Sequence, residues 1–144
     1  MTIDEVRAKV QRMLIELLGS AEVDKDGDFK ISWESTGGYV KVVDYGDDGF
    51  VVQIWAYLLF NVPETPELFE WIAKNGNRYY FGSTSFNSWD KDGETKTSLV
   101  FEHNLFANFL DLDELGHALF GVFSTADKLD NELQGLFGGD LVNP

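Results

Sequence analysis

The run "FVVQIWAYLLF", residues 50–60, is apolar at nearly every position. It stands between the turn-forming "GDDG" and "NVP", so it reads as one long strand. Side chains alternate across a strand, and here Phe50, Val52, Ile54, Ala56, Leu58 and Phe60 line one side. Val51, Trp55, Tyr57 and Leu59 line the other. Both faces therefore want cover. The strand must be central in its sheet, or its second face must meet a partner.

The flanking segments supply the cover for one face. Thr2 followed by Glu5 forms a capping-box pattern, and Ile3, Val6, Val10, Met13, Leu14, Leu17 and Leu18 recur at helical spacing up to a stop at Gly19. "DFKISWE" alternates, with Phe29, Ile31 and Trp33 on one face, and Gly37-Gly38 is expected to turn the chain into "YVKVVDY". After the long strand, Thr65, Pro66 and Gly76 bracket a short helix with Leu68, Phe69 and Ile72 as its stripe. "RYYFGSTSF" and "TKTSLVFEH" read as two more strands. Asp111 with Glu114 opens a last helix whose stripe runs from Leu112 through Leu115, Leu119, Val122, Phe123, Ala126 and Leu129 to Leu133, ending at Gly138-Gly139. The order is helix, three strands, helix, two strands, helix. That predicts an α+β two-layer sandwich, with long amphipathic helices on a five-stranded antiparallel sheet, in one domain spanning residues 1–144.

Composition narrows the chemistry. The chain has no cysteine, which removes disulfides, thiolate nucleophiles and cysteine-ligated zinc. His103 and His117 are isolated and near no serine in a catalytic arrangement, and no glycine-rich stretch opens a helix as a phosphate loop does. The carboxylates Asp111, Asp113 and Glu114 suit a helix N-terminus. The expectation is a protein that is not an enzyme and holds no metal or cofactor. A net charge of −14 disfavours nucleic acid and anionic membrane surfaces as partners; composition favours a solvated acidic face, with a surface that meets a basic protein as the alternative. No signal peptide or membrane span is expected from the sequence, which points to the cytoplasm. The surplus of apolar side chains then becomes the candidate site. Val51, Trp55, Tyr57 and Leu59, joined by Tyr79 and Phe81 on the next expected strand, are read as a partner-binding face.

Three segments carry a resemblance: "DKDGDFKI", "VPETPELFEWIAKNG" and "LDLDELGHALFGVFSTADKLDNELQGLFGG". Together they resemble the YbjN-like family of bacterial proteins, related to the type III secretion chaperones, over roughly residues 3–139. The last helix is the most specific part, with Leu112, Leu115, Ala126, Asp127, Leu129, Asp130 and the ending Phe137-Gly138-Gly139. The resemblance implies a peptide- or protein-binding chaperone or adaptor of the bacterial cytoplasm, often a homodimer in that family, with no catalytic residues to carry over. "FEHNLFANF", before the last helix, departs from the pattern. From a different class, the acidity suits an immunity protein that blocks a basic toxin; a calcium sensor and a small hydrolase are weaker alternatives.

The calcium alternative rests on "DKDGDFK", residues 24–30, and a second "DKDG" at residues 90–93. A calcium loop needs glycine at its sixth position and a bidentate glutamate at its twelfth. Counted from Asp24 those positions hold Phe29 and Ser35; counted from Asp90 they hold Thr95 and Phe101. Both stretches fail at both places, whereas Asp-Gly between strand residues is a strong hairpin signal. Calorimetric titration with calcium is therefore expected to show no site tighter than about millimolar. A micromolar site that is lost in Asp26→Ala would overturn the turn reading.

Overall fold

A computed structural model describes residues 1–144. Each helix begins where its cap residue predicts. Thr2, Thr65 and Asp111 accept hydrogen bonds from the backbone N–H of Glu5, Leu68 and Glu114, and so start α1 (Ile3–Leu18), α2 (Pro66–Asn75) and α3 (Leu112–Phe137). The strands are β1 (Glu22–Val23), β2 (Phe29–Trp33), β3 (Thr36–Asp44), β4 (Phe50–Phe60), β5 (Ser83–Lys91) and β6 (Glu94–Phe106). They form one sheet of six strands in the order β1-β2-β3-β4-β6-β5, with every pair antiparallel. The α+β expectation holds, with one strand more than expected. β1 is two exposed residues on the sheet edge, too short to show a hydrophobic period.

Three boundaries differ from the sequence reading. The β2–β3 turn is Glu34-Ser35, between paired Trp33 and Thr36, rather than Gly37-Gly38. The two glycines lie inside β3, where a Cβ on Gly38 would stand 1.8 Å from the Trp55 carbonyl oxygen, so β4 leaves no room for a side chain there. β5 starts at Ser83, not at Arg78. Gly82, with φ of +123°, sits where a Cβ would come within 2.3 Å of the Phe101 ring, and only beyond it does the chain join β6. The hairpin between β5 and β6 is closed by Asp92-Gly93, with φ of 52° and 79°, as the Asp-Gly signal requires. At the first acidic stretch, Asp24 Oδ1 accepts from the N–H groups of Asp26 and Asp28, so this carboxylate is used by its own turn.

β4 is central, between β3 and β6, and its register carries a bulge. Tyr57 pairs with Val100 and Leu59 with Leu99, so Leu58 is an extra residue on β4. One extra residue reverses the alternation. Val52, Ile54, Ala56 and Leu58 face the helices, and beyond the bulge Leu59 faces them too; all five are buried in the core. Phe60 is turned to the opposite side, with its ring 4.8 Å from that of Tyr57. The expectation that Leu59 shares a face with Trp55 and that Phe60 shares one with Ile54 is thus reversed for both residues.

All three helices lie on one side of the sheet. Val6, Val10 and Leu14 of α1, Leu68 of α2 and the stripe of α3 from Leu115 to Leu133 join the core residues of β2, β3, β4 and β6 in one cluster. Packing also uses positions the stripe did not include. Gly116 is buried, and a Cβ added there would meet the Leu17 side chain at 3.1 Å, so α3 lies close against α1 at this glycine. Phe123, fully buried, stacks on Trp33 at 5.9 Å. Phe123→Ala is expected to cost about 3–5 kcal/mol through lost burial and a residual cavity. An unchanged urea midpoint would show that α3 does not pack on the sheet as described.

The β2–β3 turn is tied to α3 by a buried polar cluster. Ser35 donates from its N–H and its Oγ to Asp127 Oδ1, at 3.0 and 2.7 Å, and its Oγ also lies 2.8 Å from Asp130 Oδ2. One hydroxyl has one proton to give, so both short contacts are hydrogen bonds at once only when one carboxyl is protonated. Asp130 is fully buried, and burial pushes its carboxyl above the ordinary 3.8; the bonds from Ser35 and Asn131 pull it down, while the Asp127 charge pushes it up. A carboxyl raised by folding contributes stability below about pH 3.8, its ordinary value, and loses that contribution as pH rises through the folded value. Asp130→Asn supplies an N–H to Ser35 Oγ at every pH. It is expected to be more stable than the native chain at pH 7 by about 1 kcal/mol, with the gap closing towards about pH 4. Urea midpoints across that range measure it, and parallel pH profiles would exclude the shared proton.

Candidate functional site

The helix layer covers one side of the sheet and leaves the other without a covering element. α2, which could have covered it, is on the helix side, where Leu68 enters the core and Phe69 stands edge-on to Phe86 at 5.2 Å. The opposite side is built by alternation. Directly paired residues share a face, so the row Lys30, Tyr39, Trp55, Glu102, Ser83 runs across five strands. The neighbouring rows bring Tyr57 opposite Val100, and Gln53 between Lys41 and Asn104.

The centre of this face is an aromatic cluster. Tyr39 and Trp55 stack nearly parallel, 5.7 Å between centroids and 11° between planes. Tyr57 stands edge-on to both at 6.3 Å, and Phe60 extends the group beyond it. These rings are half-buried by each other rather than by a second layer. Val100, under this face, is fully buried yet lies outside the main core cluster. The Trp55 indole Nε1–H is covered and meets no hydrogen-bond acceptor. Burial pushes the Tyr39 phenol up to about 12, helped by Tyr57 and by the charges of Asp28 and Glu102; burial also raises Tyr57. Both phenols therefore stay protonated at ordinary pH.

At one end the face continues as a shallow apolar groove between Val43, Val51, Tyr45 and Phe106. Phe106 is 63% exposed and Tyr45 56%, with their rings 6.1 Å apart. At the other end it is bounded by the C-terminal segment. Asp140 exchanges backbone hydrogen bonds with Phe60 at 2.9 and 2.7 Å, and the Asn143 amide donates to the carbonyls of Glu34 and Thr36. Val142 then lies against Gly37, closing a recess shared with Lys30, Ser32, Tyr57 and Phe60.

Of the residues picked out in the sequence, the structure brings Val51, Trp55 and Tyr57 together on this face. Leu59 is in the core because of the bulge. Tyr79 and Phe81 belong to the loop before β5 and lie on the helix side, Tyr79 edge-on to Phe101 at 5.4 Å and Phe81 edge-on to His103 at 5.7 Å. Tyr39, Phe60, Val43, Tyr45 and Phe106 were not singled out. The alternation in "YVKVVDY" carried the signal for Tyr39 and Val43, but Phe60 and Phe106 needed the register of β4 on β6.

Nothing comparable gathers elsewhere. His103, whose pKa burial lowers, is on β6, while His117 is exposed on α3 with Nδ1 2.8 Å from the Asp113 carbonyl. No three acidic or histidine side chains converge as a metal site, and no helix is long and apolar enough to cross a membrane. No curated protein matches the chain. The family model described as T3SS (YopN, CesT) and YbjN peptide-binding chaperone 1, TY-Chap1, matches residues 4–144. With its aromatic sheet face opposite a layer of three helices, the chain belongs to this family of peptide-binding chaperones.

Proposed function

We propose that this chain is a non-enzymatic chaperone or adaptor, a single domain of the bacterial cytoplasm, which holds an extended segment of a client protein on the open side of its sheet. The observation that carries the reading is the stacked pair Tyr39–Trp55, with Tyr57 and Phe60, on a face that no helix covers. Large flat rings held in place by one another give contact area with little side-chain entropy left to lose. Val51, Trp55 and Tyr57 are the anchors, with Tyr39 and Phe60 beside them. Leu59, Tyr79 and Phe81 take no part in this surface. The apolar groove at Val43 and Phe106 lengthens it to the span of a strand-like segment. The same face on two copies is a self-complementary patch, which suits a homodimer related by a twofold axis.

The net charge of −14 supports a second reading, an immunity protein that blocks a basic toxin. The two readings place the energy differently. A chaperone loses affinity when aromatic area is removed; an acidic blocker loses it when salt is added.

Trp55→Ala tests this. It is expected to weaken peptide-array binding and self-association by about 2 kcal/mol or more, the scale of a central aromatic anchor. Circular dichroism is expected to stay native, because Trp55 is outside the core cluster. Added salt should slow association with a basic client while leaving most of the affinity. Unchanged binding and sedimentation would place the partner surface elsewhere, and unfolding would make Trp55 a structural residue.

A further inference from the structure

The aromatic cluster has an acidic neighbour with no counter-charge. Glu102 is the direct cross-strand partner of Trp55, on the side away from Tyr39. Its charge reaches the Tyr39 phenol, and its only hydrogen bond is a long one from Ser85 Oγ at 3.4 Å. The two lysines of this face nearest the aromatic cluster are already engaged, Lys30 with Glu22 at 3.6 Å and Lys41 with Asp28 at 4.0 Å. No lysine or arginine of the chain lies over Tyr39, Trp55 or Tyr57, or pairs with Glu102.

Ring faces and a carboxylate together make a cation site. The π-face attracts a positive group, tryptophan most strongly, and the carboxylate adds a charged hydrogen-bond acceptor. Arginine fits this pair better than lysine, because a planar guanidinium can stack on a ring while its edge bonds a carboxylate. The chain shows half of this chemistry on its other side, where the Arg78 guanidinium lies over Trp71 and Tyr79 at 5.8 and 5.1 Å.

We propose that Trp55, Tyr57 and Glu102 form a subsite for an arginine side chain of the bound client segment. This rests on the peptide-binding reading of the same face and adds to it a residue preference. The occupant is an extended, arginine-bearing segment of another protein, favoured by a chain of net charge −14.

The test uses the full chain and a peptide array in which the best-binding sequences carry, at one position scanned along the peptide, arginine, lysine or citrulline. Citrulline keeps the planar shape of arginine without the charge. At one position of the scan arginine is expected to bind about tenfold tighter than citrulline, with lysine between. In Glu102→Gln that ratio is expected to fall to below about threefold. The native-chain ratio stands without the variant, so misfolding of Glu102→Gln does not decide the matter. Peptide binding with no preference for arginine at any position overturns the subsite and leaves the peptide-binding reading intact. Absence of binding to every peptide overturns both. If sedimentation shows that Glu102→Gln abolishes self-association of the chain without peptide, the occupant is a second copy and the proposal fails.

Discussion

The bulge at Leu58 decides what each face of the sheet presents. β4 is apolar on both sides, and a strict alternation through residue 60 would place Leu59 beside Tyr57 and bury Phe60. The extra residue instead sends two successive leucines into the helix side, where both are fully buried, and turns Phe60 out to meet Tyr57. The core gains Leu59 in place of Phe60, and the open face gains a ring. A bulge also increases the local twist of the strand, and this one lies where β4 leaves the sheet for α2. Beside it, β3 has no Cβ at Gly38 and so comes up against the Trp55 backbone, which sets Tyr39 and Trp55 side by side. The aromatic face is thus a product of backbone register as much as of composition.

The Ser35 cluster links that face to the helix layer. Asp127 and Asp130, two of the last-helix residues that carry the family resemblance, hold the β2–β3 turn through a single serine. The C-terminal segment reaches the same turn from the other side, through the Asn143 N–H to the Ser35 carbonyl at 3.1 Å. Three parts of the chain distant in sequence therefore meet at one two-residue turn, and the C-terminal segment that reaches it also lines the recess beside Tyr57 and Phe60 through Val142 and Asn143. A buried carboxyl is costly unless it is hydrogen-bonded, and the Asp130 oxygens meet Ser35 Oγ and the backbone and side-chain N–H groups of Asn131. Its value is positional: Asp127 and Asp130 can both reach one hydroxyl only when the turn sits in one place.

What could be read in the sequence was local. The three caps each involve residues three apart, and the Asp92-Gly93 turn involves two, so the string alone specified them. The stripe of α3 was legible for the same reason. The errors share a different cause. Gly37-Gly38 has turn composition, but a glycine is also required where two backbones approach, and nothing in the string separates these until β4 is set beside β3. β5 was placed too early because "RYYF" has strand composition while Gly82 delays the pairing. Of the candidate face, Trp55 and Tyr57 follow from period two alone. Phe60 and Phe106 depend on which β6 residue stands opposite which β4 residue, a relation between segments some forty residues apart and hidden by the bulge.

The charge of the chain and its aromatic face act over different distances, and that separation lets one small domain be acidic and still present an apolar face. Asp44, Asp47 and Asp48 stand at the Phe106 end of the open face without a cation within ion-pair distance, as does Glu102 at its centre. Their field extends about one Debye length, roughly 8 Å at physiological salt, which is enough to orient an approaching basic segment. It does not hold one firmly, because exposed charge pairs contribute about 0–1 kcal/mol each. On the proposed function, holding falls to the rings, whose contact with apolar side chains and with a guanidinium persists when salt is added. An exposed aromatic face would otherwise invite indiscriminate association, and like-charge repulsion between copies of an acidic chain opposes that. On that proposal acidity screens what reaches the face, and the register of β3, β4 and β6 determines what stays.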